Sequence, residues 1–238
     1  CNLVLGSGAF GLGGILERVA ADLGQPVQAV GQNMTAYAIA TAALAPLLLV
    51  FTGRWRRRSA VLAALGVFAA GMLLSVLATN LTLLLAGRVL MGAGACFTPL
   101  AASIAVSVVP PAERGKALST TFLGMGLSYV IGVPLGAWLG LAYGWRWPQL
   151  LVLVVLLAMM VLVWRRMPAD VDAPGASFQG LGALLRRADV LNPLVMTLLY
   201  FTAIFGVFSY IGPVLQALVR SEGDLGQAVP GLGGVLIG

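Results

Sequence analysis

The chain has 238 residues, of which 60% are hydrophobic and only 9% are charged, whereas a soluble globular protein carries about 25% charged residues. This composition and a mean hydropathy of +0.98 indicate an all-α integral membrane protein. There is no histidine, and no P-loop, Cys-x-x-Cys or nucleophile-elbow pattern occurs, so we expect neither an enzyme, a metal site nor a cofactor. The net charge of +6 comes from short loops between apolar runs, which argues against nucleic acid as a partner.

Charge-free apolar runs predict seven membrane spans and the start of an eighth. The predicted spans are residues 2–16, 28–52, 59–79, 82–109, 117–143, 149–164 and 191–218. The chain begins with Cys1 inside an apolar run, and residues 227–238 are too few to cross about 30 Å of hydrocarbon. We therefore expect both ends to be truncated, and a processed lipoprotein with a lipidated Cys1 is the alternative.

The basic residues fall mainly in alternate loops. One set of loops holds ten of them: Arg54, Arg56, Arg57, Arg58, Arg114, Lys116, Arg165, Arg166, Arg186 and Arg187. The other set holds only three, namely Arg18, Arg146 and Arg220. Since short cytoplasmic loops carry the excess of lysine and arginine, the first set and the N-terminus are predicted to be cytoplasmic.

The longest connection divides the chain. Residues 165–190 contain prolines and scattered small and acidic residues, which predicts a cytoplasmic linker between a six-helix bundle, residues 1–164, and the start of a second bundle, residues 191–238. Apolar residues at helical spacing within 178–185 favour a short helix on the membrane surface, with a solvated linker as the alternative. Pro46 near the end of the second span and Pro134 in the fifth are each followed by a loop that begins with glycine and contains arginine and tryptophan. The two loops lie on opposite sides of the membrane, which indicates an inverted three-plus-three repeat.

Arg88 is the one charge inside a predicted span. A guanidinium at the centre of a membrane helix costs about 2.5–3.5 kcal/mol, so such a residue usually faces the bundle interior or a watery cavity. No carboxylate lies inside any complete predicted span, so carbonyls, hydroxyls, amides, water or a ligand are expected to pair with it. The alternative is that Arg88 extends to the outer interface.

Small residues recur at every fourth position of the fifth span, where they form one slowly turning stripe that allows a neighbouring helix to pack closely. The stripe consists of Gly124, Ser128, Gly132, Gly136 and Gly140, and Pro134 interrupts it. Structural packing explains the stripe, and its functional interpretation is a close contact that moves during gating.

Neutral polar residues at membrane depth are candidates for lining a substrate cavity. They are Asn33, Tyr37 and Thr41 in the second span, Thr98 in the fourth, and Tyr200 and Tyr210 in the seventh. Each can instead bond within its own helix or lie at an interface.

Four segments together resemble the major facilitator superfamily, in its bacterial drug and sugar efflux group of the arabinose-efflux-permease type. They are Gly53-Arg54-Trp55-Arg56-Arg57-Arg58, Leu85 to Gly94 around Arg88, Glu113-Arg114-Gly115-Lys116-Ala117, and Gly132-Val133-Pro134-Leu135-Gly136. The chain departs from the family pattern at three places. Gly53 and Ala9, the residue before Phe10, each stand where the pattern has an acid. Val133 separates Gly132 from Pro134, which are adjacent in the pattern.

The resemblance implies a major facilitator fold in the bacterial inner membrane, with Gly53, Arg54, Arg57 and Arg58 as a gate loop and Arg88 in coupling. It implies a monomeric secondary transporter in the lipid bilayer that exports a small drug-like or sugar-like molecule by alternating access against protons. Uptake or proton-independent facilitation is the alternative, since candidate proton-carrying acids are missing. A non-transporting membrane receptor or fragment is the alternative from another class.

Overall fold

The computed structural model describes residues 1–168, 171 and 187–203. Across these residues the secondary structure is helical, without strands. Six helices are long and apolar enough to cross a membrane: α1 Asn2–Leu23, α2 Val27–Arg54, α3 Arg57–Val76, α4 Leu81–Ser107, α5 Pro111–Tyr143 and α6 Arg146–Arg166. A shorter apolar helix, α7, covers Ala188–Ala203. The all-α membrane fold predicted from composition is confirmed.

The chain divides into two compact units, Cys1–Ser177 and Phe178–Gly238. The first contains α1 to α6. In the second, α7 begins beside an ion pair between Arg187 and Asp189, whose Nη2 and Oδ2 atoms are 2.7 Å apart. The rest of the predicted seventh span, the predicted eighth and most of the predicted linker lie outside the described residues.

The end of the first span was predicted wrongly. The charged residues Glu17 and Arg18 predict an end at residue 16, but the helix continues to Leu23. It stops at Gly24, whose φ of 61° is the left-handed conformation of a helix C-cap. Glu17 and Arg18 lie on the exposed side of this last segment, whereas Val19 is buried. A charged pair on one face of an amphipathic segment therefore did not end the helix.

The helix α5 changes its hydrogen-bond pattern in its middle. Regular α-helix covers Arg114–Leu127, a π-helical turn covers Ser128–Gly132, and α-helix resumes over Val133–Tyr143. Pro134, the second residue of the last segment, has no N–H and its ring would crowd the carbonyl of the preceding turn. The wider π-helical turn accommodates this proline.

The contacts within the six-helix unit follow a repeated pattern. Helix α4 packs against α2 and α3, helix α1 packs against α5 and α6, and α3 packs against α6. Exchanging α1, α2 and α3 for α4, α5 and α6 converts these contacts into one another. The bundle therefore has the contact symmetry of a three-plus-three repeat.

One end of the bundle is held by a polar cluster that joins three helices. Trp145, which is buried, donates from Nε1 to Oδ2 of Asp22 at 2.9 Å. Arg146 donates from Nη1 to the same oxygen at 2.6 Å and from Nη2 to the Ala78 carbonyl at 2.8 Å. Arg146, which is predicted to lie in a loop, begins α6 and ties the ends of α1 and α3 to it.

Candidate functional site

The candidate site begins at an interruption in α1. Its first helical segment ends at Phe10, and a 3-10 turn over Gly13–Ile15 follows, because three glycines among residues 11–14 weaken the helix. The last four carbonyls of a helix have no partner within it. The Gly11 N–H donates to the Ser7 carbonyl at 2.9 Å. The carbonyls of Gly8 and Ala9 accept from a donor outside this helical segment.

Arg88 of α4 supplies that donor. Its Nη1 donates to the Gly8 carbonyl at 3.1 Å and to the Ala9 carbonyl at 2.9 Å. A cation at the C-terminal end of a helical segment is also favoured by the helix dipole. The side chain is 0% exposed, so it does not extend to the membrane interface. Its partners are backbone atoms.

Part of the guanidinium remains unpaired. Within the described residues, neither Nε nor Nη2 of Arg88 has a hydrogen-bond partner. The carboxylates in that part of the chain are all exposed and are Glu17, Asp22, Glu113 and Asp189. The site is therefore electropositive, with two buried donor groups available to a further acceptor.

Glycines of α4 position this arginine by letting two helices approach. A methyl group on Gly87 would lie 2.6 Å from the Gly71 carbonyl of α3, and one on Gly92 would lie 2.6 Å from the Tyr37 carbonyl of α2. Only glycine permits such backbone proximity. The Leu85 to Gly94 segment thus packs against α2 and α3 while Arg88 points to α1.

Three aromatic rings lie beside the interruption in α1. Phe10, the residue after Ala9, has its ring centroid 6.3 Å from that of Tyr37 in α2 and 5.0 Å from that of Tyr129 in α5. Tyr129 is 44% exposed. We refer to Phe10, Tyr37 and Tyr129 as the aromatic cluster. Phe10 and Tyr129 are not among the predicted cavity residues; they adjoin Ala9 and the stripe residue Ser128.

The other predicted cavity residues are distributed over the bundle. Asn33, one turn before Tyr37, is fully buried; its Nδ2 donates to the Val30 carbonyl at 2.7 Å, and its Oδ1 has no partner among the described residues. Thr41 bonds back to the Tyr37 carbonyl at 2.8 Å. Asn33 therefore keeps a buried acceptor that is not used within the described residues, whereas the hydroxyl of Thr41 bonds within its own helix.

Thr98 belongs to a different junction. Its Oγ1 donates to Oδ1 of Asn2 at 3.0 Å, and Nδ2 of Asn2 donates to the Thr121 carbonyl at 2.8 Å, which links α1, α4 and α5. Tyr200 lies on α7 in the second unit and is 61% exposed. Tyr210 lies outside the described residues.

The small-residue stripe of α5 faces α1. A methyl group on Gly124 would lie 2.9 Å from Leu3 N, one on Gly132 would overlap Ser7, and one on Gly140 would lie 2.5 Å from Ile15 Cδ1. Ser128 is buried, and Gly136 has looser neighbours, with Gly11 Cα at 3.8 Å from its added methyl. Pro134 is exposed.

The predicted gate loop joins α2 to α3. Gly53 and Arg54 lie in a 3-10 turn, and Arg57 begins α3. Arg57 is only 7% exposed and donates from Nη2 to the Gly53 carbonyl at 3.2 Å, while Arg54 is exposed and Arg58 is half-buried. The chain thus holds Arg57 against the position where the family pattern has an acid. In the described part of the chain, no cluster of His, Cys, Asp or Glu could hold a metal ion.

Comparisons with known proteins give the chain a family and relatives. The family model described as Major Facilitator Superfamily matches residues 1–238. Inner membrane transport protein YdhP of Escherichia coli K12 is 31% identical over 227 residues, covering 92% of this chain and 58% of the relative. The uncharacterized MFS-type transporter YbcL of Bacillus subtilis 168 is 29% identical over 238 residues, covering 99% of this chain and 59% of the relative.

Two solved structures share the fold. The human organic anion transporter MFSD10 (TETRAN) aligns with a TM-score of 0.56 and 19% identity, covering 70% of this chain and 45% of that one. The peptide transporter POT in complex with alafosfalin aligns with a TM-score of 0.60 and 16% identity, covering 92% and 48%. The chain spans less than two thirds of the length of the curated relatives it matches.

Proposed function

The chain belongs to the major facilitator superfamily, and from this premise we propose that it is the N-terminal part of a secondary transporter in a bacterial inner membrane. It exports a small organic molecule against proton influx, by rocking this six-helix bundle against a second one. Support comes from the relatives, of which YdhP is named as an inner membrane transport protein.

The observation that carries the proposal is the pairing of Arg88 with the interrupted helix. Arginine keeps its proton in proteins, so Arg88 organises the coupling without carrying the proton itself. Its Nη1 donates to both the Gly8 and the Ala9 carbonyl. Its Nε and Nη2 can donate to an acceptor on the cargo, or to an acceptor of the protein that comes close in another conformational state. A change of partner at Arg88 then moves the two segments of α1 relative to each other.

The aromatic cluster supports the choice of cargo. Phe10, Tyr37 and Tyr129 offer apolar ring faces and two hydroxyl groups beside a positive charge that no carboxylate in the described residues neutralises. Such a surface suits a neutral or amphiphilic molecule with an aromatic or aliphatic body.

Replacing Arg88 tests the proposal. We predict that Arg88→Lys and Arg88→Ala in the complete gene product slow efflux from loaded vesicles at least about tenfold, which corresponds to about 1.4 kcal/mol. Lysine offers a compact ammonium that does not reproduce the planar, five-donor guanidinium. Arg165→Lys, at an exposed arginine near the end of α6, is the control and retains efflux. Normal efflux by Arg88 variants present at normal levels in the membrane would refute the role.

The coupling ion needs a separate measurement. Every carboxylate among the described residues is exposed, which favours a rival function, uptake or facilitation without protons. Collapse of the pH gradient across proteoliposomes stops cargo accumulation if the protein is an antiporter. Accumulation that continues without the gradient would support the rival function.

A further inference from the structure

A groove lies between α1, α5 and α6, apart from the aromatic cluster. Its volume is about 170 Å³, comparable with the engineered cavity of about 150 Å³ that accepts benzene. Apolar side chains and glycines of the three helices line it, and its two polar side chains are Ser7 and Gln149. We refer to it as the α1/α5/α6 groove.

Gln149 is the unexplained member of this lining. Its side chain is buried, with 4% of the residue exposed, and neither Nε2 nor Oε1 has a hydrogen-bond partner within the described residues. Ser7, by contrast, donates from Oγ to the Leu3 carbonyl at 2.9 Å. Buried polar groups are nearly always paired, and Gln149 lines the groove, so we expect its amide to turn into the groove and to take a partner there.

The depth of Gln149 in the membrane narrows the choice of partner. The 21 residues of α6 run from Arg146 to Arg166 and measure about 31 Å, which matches a hydrocarbon layer of about 30 Å with an arginine at each boundary. Gln149 is three residues from Arg146, or about 4.5 Å along the axis. It therefore lies close to the boundary between hydrocarbon and head groups, on the side marked by Trp145 and Trp147, where the glycerol esters of phospholipids are found.

The groove also opens to the outside of the bundle. Leu135, Leu151 and Val155 belong to its lining and are 47%, 47% and 38% exposed. An apolar groove that is open along a membrane helix and has one amide near the membrane boundary suits a long apolar chain with one acceptor at its end.

We propose that the α1/α5/α6 groove holds an acyl chain of a glycerophospholipid and that Nε2 of Gln149 donates a hydrogen bond to an ester carbonyl of that lipid. The bound chain fills the space between α1 and α5 beside the small-residue stripe. The lipid assignment does not rest on the proposed transport activity, and its test does not require transport.

The test compares ester and ether lipids of equal head group and chain length, because an ether lacks the carbonyl acceptor. The complete gene product is reconstituted in nanodiscs of diacyl- or dialkyl-phosphatidylglycerol, and its Tm is measured. We expect the wild type to be more stable in the ester lipid by about 1–2 °C, the size of shift expected for one hydrogen bond in a chain of the relatives' length. Gln149→Met, which keeps a similar length, removes this difference.

Two further variants make the result decisive. Gln32→Leu, at an exposed glutamine of α2, is the matched control and retains the ester preference. Gly136→Ala narrows the groove without a clash, since its methyl group would lie 3.8 Å from Gly11 Cα and 3.9 Å from Pro148 Cβ. It is expected to lower the amount of phospholipid that co-purifies in detergent, as counted by mass spectrometry.

Three results would overturn the proposal. They are an ester preference that persists unchanged in Gln149→Met, a wild type that does not distinguish the two lipids, and unchanged lipid retention in Gly136→Ala. If a lipophilic cargo molecule stabilises the wild type equally in both lipids and Gln149→Met abolishes that effect, the groove is a cargo site and the lipid assignment is wrong.

Discussion

At the scale of single residues, the two buried arginines in the described part of the bundle each donate from one Nη atom to backbone carbonyls. Arg88 bonds to Gly8 and Ala9, and Arg57 bonds to Gly53. A carbonyl carries only a partial charge, so the guanidinium keeps a net positive charge and remains responsive to an anion or a dipole that comes close. This property suits Arg88 for a site whose partners change.

Two arginines of the gate loop provide a matched test, because they differ in burial but not in charge. We predict that Arg57→Ala lowers stability by about 1–3 kcal/mol, since it leaves the Gly53 carbonyl unpaired beside a cavity. Arg54→Ala, at an exposed residue, stays within about 0.5 kcal/mol. Thermal unfolding in detergent measures the difference, and vesicle transport measures gating. If both variants transport normally and alter only membrane orientation, the loop is a topology signal and not a gate.

At the scale of elements, α1 and α5 are brought together by small residues on both helices. Ser7 of α1 contacts Gly132, and the side chain of Ser128 occupies the space beside Gly6. With little attraction between apolar surfaces in lipid, close backbone packing supplies the association of such helices. The same proximity leaves both helices able to slide without large side chains interlocking.

The stripe makes a prediction at this scale. Gly132→Ala places a methyl group against Ser7, so we expect a loss of about 1–3 kcal/mol from overpacking and slower transport. Gly126→Ala is the control, because its methyl group meets no atom within 4 Å and alanine favours the helix by up to about 1 kcal/mol. Adding Ser7→Gly to Gly132→Ala restores the Tm. Equal effects of the two single alanine variants would contradict close packing at Gly132.

At the scale of the whole molecule, the basic loops predict a cytoplasmic N-terminus. Thr79, between α3 and α4, is then external, and Ala112, at the start of α5, is internal. In a chain without Cys1 and Cys96, we expect a membrane-impermeant maleimide to label Thr79→Cys on intact cells and Ala112→Cys only after permeabilisation. Both positions are exposed, so accessibility does not bias the comparison. The reverse labelling pattern would invert the proposed topology.

The sequence by itself determined the class of fold, the number of described spans and the family. Apolar runs predict membrane helices because every backbone polar group in lipid must be satisfied within its own segment, which makes spanning a local property. The four motifs around Gly53, Arg88, Lys116 and Pro134 led to the family that the family model and the relatives show.

Only the tertiary structure decided which residues meet. Arg88 pairs with backbone carbonyls some 80 residues earlier in the chain, and no side-chain pattern marks a carbonyl as a partner. The aromatic cluster and the contacts of Asp22 with Trp145 and Arg146 join residues from different helices. Local hydrophobicity determines that a helix spans the membrane. The rotation of each helix about its axis determines what its side chains contact, and glycines such as Gly87 and Gly92 set that rotation because they let neighbouring helices approach.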